Sequence, residues 1–202
     1  MGALLDGNKY VHVLLLGAQD VGKTKFLYEG LLQNKYKDPP YKPTEGYNME
    51  CMKYEQTTYA LWDLAASPEF MTLWHVFYQF IPFKVTIFVV RVIKGTKAQR
   101  SKHFDSMGQS RQLLHRLMTL EVFQTKPLLL LVNIEKDQSS QQGDKQEALN
   151  EAKACLNWDD IKVRDKQAIV LDVNAYLDHE QVLMAMDKMY KKAEEEDSNK
   201  KE

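Results

Sequence analysis

The sequence predicts an α/β domain, a mostly parallel sheet with helices on both faces. Three observations predict it. Three short apolar runs, Tyr10–Leu16, Val85–Val90 and Leu128–Val132, have strand length and read as buried strands, and Gln167–Leu171 reads as another strand. Segments with apolar residues at three- and four-residue spacing alternate with them and read as helices. One pair of β-favouring runs, Tyr47–Tyr54 and Thr57–Trp62, is separated only by Glu55-Gln56 and reads as a hairpin, adding one antiparallel edge strand.

Each element has its own signal. Lys23–Leu32 is read as a helix, with Phe26, Leu27, Gly30 and Leu31 sharing a face. Asn34–Thr44 holds Pro39, Pro40 and Pro43 and is read as a loop. Asp63–Pro68 is read as a turn, and Phe70–Phe80 as an aromatic segment that ends before Pro82. Lys94–Asp105 is polar and read as a loop. Ser106–Phe123 carries Leu113, Leu114, Leu117 and Leu120 and is read as a helix. Gln138–Asp144 is a polar loop, and Ala148, Leu149, Ala152, Cys155 and Leu156 define a short amphipathic helix. Asp178 and Gln181 resemble a capping box opening a last helix through Val182, Leu183, Met186, Met189 and Tyr190. Residues 194–202 form a charged tail expected to fray. The expected organisation is a short extension over 1–9, one domain over 10–193, and the tail.

Composition narrows the class. The 202 residues include 27 basic and 28 acidic side chains, a formal charge of -1, so a nucleic-acid footprint is not expected. No apolar run reaches the roughly 20 residues a membrane span needs. No secretory signal is read at the amino terminus. Two cysteines, Cys51 and Cys155, make no disulfide framework, which points to a reducing, cytoplasmic setting. The five histidines have no metal-ligand spacing, and His12, alternating with apolar strand residues, is read as structural.

The motif that carries chemistry is Gly17-Ala18-Gln19-Asp20-Val21-Gly22-Lys23-Thr24, a match to G-x-x-x-x-G-K-[ST]. A chance match in such a chain is on the order of one per cent. It lies between a predicted strand and a predicted helix, the context it requires. The glycines allow a concave run of backbone N–H groups around a phosphate. Lys23 supplies a charge to β- and γ-phosphates, and the Thr24 hydroxyl can ligate Mg²⁺. Downstream, Pro43-Thr44-Glu45-Gly46 offers a threonine that can complete the metal shell. Leu61-Trp62-Asp63 ends a strand in an aspartate that can hold Mg²⁺ through water. Asn133 ends a buried strand at the sheet edge where bases are read. Each of the three is also compatible with ordinary turn chemistry; their order after the phosphate loop is the stronger signal.

These residues make the chain resemble the ADP-ribosylation-factor-like (Arf/Arl) small GTPases, over roughly Tyr10 to Lys191. Pro43-Thr44-Glu45-Gly46-Tyr47-Asn48-Met49-Glu50 is similar to that family's switch I and following strand. Trp62-Asp63 followed by Leu73-Trp74 is similar to its switch II. The resemblance implies the P-loop small-GTPase fold with a six-stranded sheet, GTP or GDP with Mg²⁺ at its carboxyl edge, and an interswitch hairpin that shifts register between nucleotide states. It assigns nucleotide binding to Gly17, Gln19, Asp20, Val21, Gly22, Lys23, Thr24, Thr44, Ala66, Asn133, Lys136 and Asp137. It assigns the metal to Thr24, Thr44 and Asp63. Protein partners are expected at switch I (Tyr36–Gly46), the interswitch (Tyr47–Trp62) and switch II (Leu64–Trp74), with Tyr47, Tyr54 and Tyr59 as exposed aromatics.

Departures from the family pattern shape the expected function. Where the family has Asp-x-Gly-Gly-Gln, this chain has Asp63-Leu64-Ala65-Ala66-Ser67. Ala66 restricts the backbone that approaches a γ-phosphate. Ser67, restrained by Pro68, is too short to orient a water in place of glutamine. Slow or absent hydrolysis is expected, with no catalytic residue assigned. The base-reading Asn-Lys-x-Asp is Asn133-Ile134-Glu135-Lys136-Asp137, the carboxylate falling one residue late. Arg91 replaces the usual aspartate after the fourth strand, and Asp172-Val173-Asn174-Ala175 lacks the family's last base motif. Gly2 permits myristoylation although Asp6 replaces the usual Ser/Thr, and membrane attachment is expected only through that lipid. Two rival readings are a pseudo-GTPase scaffold that no longer cycles nucleotide, and a small nucleotide kinase, for which no arginine-rich lid is evident between Phe123 and Lys145.

Overall fold

The computed structural model describes residues 9–33, 42–94, 97–136, 144–172 and 179–200. Its six strands are β1 (Val11–Leu16), β2 (Tyr47–Tyr54), β3 (Thr57–Leu64), β4 (Phe83–Lys94), β5 (Leu128–Lys136) and β6 (Lys166–Asp172), in the order β2-β3-β1-β4-β5-β6. Only β2 is antiparallel. The expected sheet and its hairpin edge are therefore present.

Helices cover both faces. On one side lie α1 (Lys23–Lys25), continuing as a π-helical segment Phe26–Leu31, and α7 (His179–Asn199). They bury Phe26, Leu27, Val182 and Met186 against Val13, Leu15, Ile87 and Leu131. On the other side lie α2 (Pro68–Met71), α3 (Trp74–Phe80), α4 (Lys97–Met118), α5 (Glu121–Gln124) and α6 (Asp144–Leu156). Trp74, Leu114 and Ala152 pack there on Leu14, Phe88 and Leu130. Successive strand residues feed opposite layers, which is why the runs are apolar throughout rather than alternating.

Several expectations are corrected. The helix after the phosphate loop widens after one turn: the Leu32 N–H donates to the Leu27 carbonyl, five residues back. Apolar spacing over two turns does not distinguish that ladder from an α-helical one. Lys97–Asp105 is the start of α4 rather than a loop. Its Lys, Gln and Arg residues favour helix without giving an apolar stripe, which begins only at Met107. Extended backbone at Leu120 separates α4 from α5, so Ser106–Phe123 is not one helix. The aromatic segment is two helices, α2 and α3, and β5 runs beyond Val132 to Lys136. The charged end does not fray at Glu194. Helix α7 continues to Asn199, held by Arg164 against Glu196 (2.9 Å) and Asp197 (2.8 Å) and by Lys84 against Glu194 (2.7 Å). Asp178, whose capping was expected, lies outside the described residues, as does the amino-terminal segment 1–8 with Gly2.

His12 is structural, as expected. It is fully buried in β1, and its Nδ1 accepts the indole N–H of Trp62 at 3.1 Å, while Nε2 has no partner among the described residues. Burial lowers its pKa below 6.5. The unfolded chain therefore takes up this proton first, and stability present above about pH 6.5 falls as the pH drops below it. In urea unfolding between about pH 5 and 8, His12→Gln is expected to show a shallower loss of stability toward acid than the wild type. Parallel profiles would refute the assignment.

Candidate functional site

Strand register sets the site. Leu15 pairs with Asp63 on one side, and Leu16 pairs with Phe88 on the other, so the turn leaving β1 emerges at the carboxyl edge beside both neighbouring strands. In that turn Gly17, Asp20 and Gly22 take positive φ values of 149°, 58° and 91°. Such alternation is the geometry that turns successive N–H groups toward one concavity. The two glycines are required by space as well. A Cβ at Gly17 would fall onto the Val89 carbonyl, and one at Gly22 would lie 2.9 Å from the Asn133 Nδ2. Lys23 is buried, and its Nζ donates to the carbonyls of Gly17 (3.2 Å) and Ala18 (2.9 Å), folded over the loop. Burial lowers its pKa, opposed by the carboxylates of Asp63 and Asp20.

The three residues assigned to the metal converge. The Thr24 hydroxyl donates to Asp63 Oδ2 at 2.6 Å and lies 2.9 Å from the Thr44 hydroxyl, which is 3.4 Å from the same carboxylate oxygen. A fourth residue, Asn48, was not singled out by motif. Its Nδ2 donates to Asp63 Oδ2 at 3.0 Å. Folding the hairpin about Glu55-Gln56 puts Asn48 opposite Asp63, and that register was the available signal. Asp63 is fully buried, and its Oδ1 has no hydrogen-bond partner among the described residues. Two hydroxyls and one carboxylate with an unpartnered oxygen fit Mg²⁺, which takes few protein ligands and completes its shell with water and phosphate. Among the described residues no group of three His, Cys, Asp or Glu side chains forms a cage for a transition metal.

A cleft of about 710 Å³ opens over these groups. It is lined by Gln19, Asp20, Gly22, Lys23 and Thr24 of the loop, by Lys42, Pro43 and Thr44, by Ala65, Ala66 and Ser67, and by Arg91. Gly17 and Val21, also assigned to the nucleotide, are not among the lining residues. Lys42 is an addition, since the proline-rich segment drew attention only to Thr44. At this rim the Ala65 N–H donates to the Gly46 carbonyl (2.8 Å), joining the segment ending at Gly46 to the one beginning at Leu64, and the Trp74 indole N–H donates to the Ala65 carbonyl (2.8 Å) within the second segment. Ser67 is engaged otherwise than the family's glutamine would be: its Oγ accepts the Phe70 N–H (3.2 Å) and caps α2, whose first position is Pro68.

Of the residues assigned to the base, the structure describes Asn133 and Lys136. Asn133 is buried, and its Nδ2 donates to the Val21 carbonyl at 2.8 Å, bolting β5 to the phosphate loop rather than lining the cleft. Ile134, where the family carries lysine, is fully buried in the core and paired with Val92 and Asp172. Lys136 ends the strand opposite Lys94, whereas Asp137, residues 173–175 and residues 36–41 of switch I lie outside the described residues.

The aromatic surface is also redistributed. Tyr47 is exposed and stacks near Trp62 (5.6 Å) and Phe77 (5.2 Å), and Tyr54 is half-buried. Tyr59 is not exposed. It has 0% accessibility because β3 lies between β2 and β1, and its hydroxyl donates to Asp187 at 2.7 Å. Leu73, Val76 and Phe80 are exposed apolar side chains on and beside α3. Among the described residues no helix is long and apolar enough to cross a membrane.

Comparison with known proteins bears on the fold and the family. ADP-ribosylation factor-like protein 1 of Saccharomyces cerevisiae is 28% identical over 130 residues, 64% of this chain and 63% of that protein, so the match spans less than two thirds of either. The structure of the Arl6 BBS3 small GTPase of Trypanosoma brucei, solved with the nucleotide analogue GppNp, superposes with a TM-score of 0.62 at 14% identity. That superposition covers 91% of this chain and 99% of the other and establishes the same fold. The ADP-ribosylation factor family profile matches residues 1–193, and the chain belongs to that family.

Proposed function

We propose that this chain is a divergent Arf-like GTP-binding protein that holds nucleotide and Mg²⁺ at its phosphate loop, hydrolyses GTP slowly or not at all, and presents its switch and interswitch surfaces to protein partners. The observation that carries the reading is the meeting of Thr24, Thr44 and Asp63 beside the buried Lys23, under a cleft wide enough for a polyphosphate. The bound ion would supply charge neutralisation at the phosphates. Lys23 and the loop orient the phosphate chain, and Thr44 links its presence to switch I. Tyr47, Leu73, Val76 and Phe80 are exposed apolar side chains available to a partner.

Slow hydrolysis follows from Ser67, whose oxygen caps α2, and from Ala66 at the rim. The expected result in single-turnover assays is a low wild-type rate that Ala66→Gly with Ser67→Gln raises by about tenfold or more, since catalysis in this fold is positioning and electrostatics. A wild-type rate equal to an ordinary small GTPase overturns the hydrolysis claim. A second reading, a structural subunit that does not cycle nucleotide, is favoured by Ile134 in the core where a base-side lysine is expected. It requires protein that purifies empty or with nucleotide that never exchanges. The GTP-binding reading requires guanine nucleotide that exchanges and stabilises the fold in proportion to its concentration.

A further inference from the structure

The interswitch hairpin is gripped at its far end by the last helix. At the turn between β2 and β3, Glu55 takes a left-handed conformation (φ 50°), and its Oε2 meets Lys191 Nζ of α7 at 3.0 Å. One turn back on the same helix, Asp187 Oδ2 meets that ammonium at 2.7 Å. The other oxygen of Asp187 accepts the Tyr59 hydroxyl of β3 at 2.7 Å. Asp187 is 6% exposed, and the Tyr190 ring closes edge-on over Tyr59 with centroids 6.3 Å apart. The relay Glu55–Lys191–Asp187–Tyr59 thus has both feet on the hairpin and its middle on α7.

The buried carboxylate is satisfied at both oxygens only while Tyr59 stands opposite Val11 of β1. A slide of β3 along β1 by two residues, the kind of shift the family resemblance implies, would move Tyr59 by about 7 Å. That distance breaks the bond and brings Leu61 or Thr57 to the same place, neither of which has a phenol's reach. A slide by one residue would turn the buried face of β3 outward. Stranding one oxygen of a buried carboxylate opposes either movement.

We infer that this relay is a clasp holding the interswitch hairpin in one register on β1 whatever nucleotide is bound, so that the partner surface built on the hairpin is displayed constantly. The clasp stands on the geometry alone, whereas the constancy toward nucleotide rests on the GTP-binding reading above.

Amide hydrogen exchange on the full chain tests it, with protein stripped of nucleotide, loaded with GDP-Mg²⁺, or loaded with a slowly hydrolysed GTP analogue and Mg²⁺. In the wild type, exchange across 47–64 is expected to agree among the three states within about twofold. Tyr59→Phe and Asp187→Asn are each expected to speed exchange across 47–64 by about fivefold or more, with β5 unchanged within about twofold. A general loss of stability would instead speed both regions together, and that result overturns the clasp. So does a wild-type hairpin whose exchange differs by fivefold or more between the GDP and GTP-analogue states, or a Tyr59→Phe hairpin that exchanges like the wild type. If the protein takes up no nucleotide, the GTP-binding reading fails, and the comparison of wild type with the two variants still decides the clasp.

Discussion

Lys23→Ala is expected to weaken binding of Mg-GTP by about a hundredfold or more, a loss near 3 kcal/mol. The argument lies in where the ammonium sits. Lys23 is almost wholly buried, draped over the loop with two carbonyls as acceptors and the Asp63 and Asp20 carboxylates nearby. A cation in such a poorly solvated place meets an incoming phosphate at far greater strength than one in water. The same burial depresses its pKa, so the folded chain gains little from holding the charge there without a ligand. Binding and folding therefore separate: the urea midpoint is expected to move by no more than about 1 kcal/mol equivalent, while nucleotide titration shows the large loss. Affinity within threefold of the wild type would show that phosphate is held elsewhere.

Gly17→Ala is expected to damage both fold and site. The new methyl lands on the Val89 carbonyl of β4 and lies 3.2 Å from Val21 Cγ2, at a φ of 149° that alanine rarely adopts. The obstacle is backbone in a central strand, which cannot rotate aside. Overpacking and strain together amount to about 3 kcal/mol, or a fall in melting temperature of about 6–12 °C for a domain of this size. Nucleotide affinity should fall with it, because the displaced loop is the cradle. Gly108→Ala is the control: a Cβ there meets nothing within 4 Å in the middle of α4, and it is expected to raise stability by about 0.5–1 kcal/mol. Equal behaviour of the two variants would refute the packing argument.

The contrast between those glycines illustrates what the sequence discloses. Gly17 and Gly22 were readable because their spacing to Lys23 and Thr24 has few other uses. The cores of β1, β4 and β5 were readable because strands covered on both faces need near-continuous apolar runs, and the partly buried edge strand β6 through its short run Ala168–Leu171. Their ends were not, since the ladder through Lys94 and Lys136 is a backbone pairing indifferent to side-chain type. The first turns of α4 were hidden for a related reason: helix propensity leaves no periodic stripe when the side chains are polar. Thr24, Thr44 and Asp63 could be picked out by type and order, although their meeting at 2.6–3.4 Å is a fact of register. Asn48 depends wholly on which residue it faces across the hairpin. Tyr59 was misread as surface because an aromatic in a hairpin looks alike on an outer and an inner strand; only the strand order separates them. Glu194, Glu196 and Asp197 read as a loose tail until Lys84 and Arg164 supplied the opposite charges from other elements.

Asp63 divides its labour unevenly: one oxygen gathers Thr24, Thr44 and Asn48, and the other is uncontested among the described residues. A cation arriving at the uncontested side adds charge without first undoing the bond from Asn48 that fastens the outermost strand. On the proposed reading, holding the ion and fastening the outermost strand would fall to different oxygens of a single carboxylate.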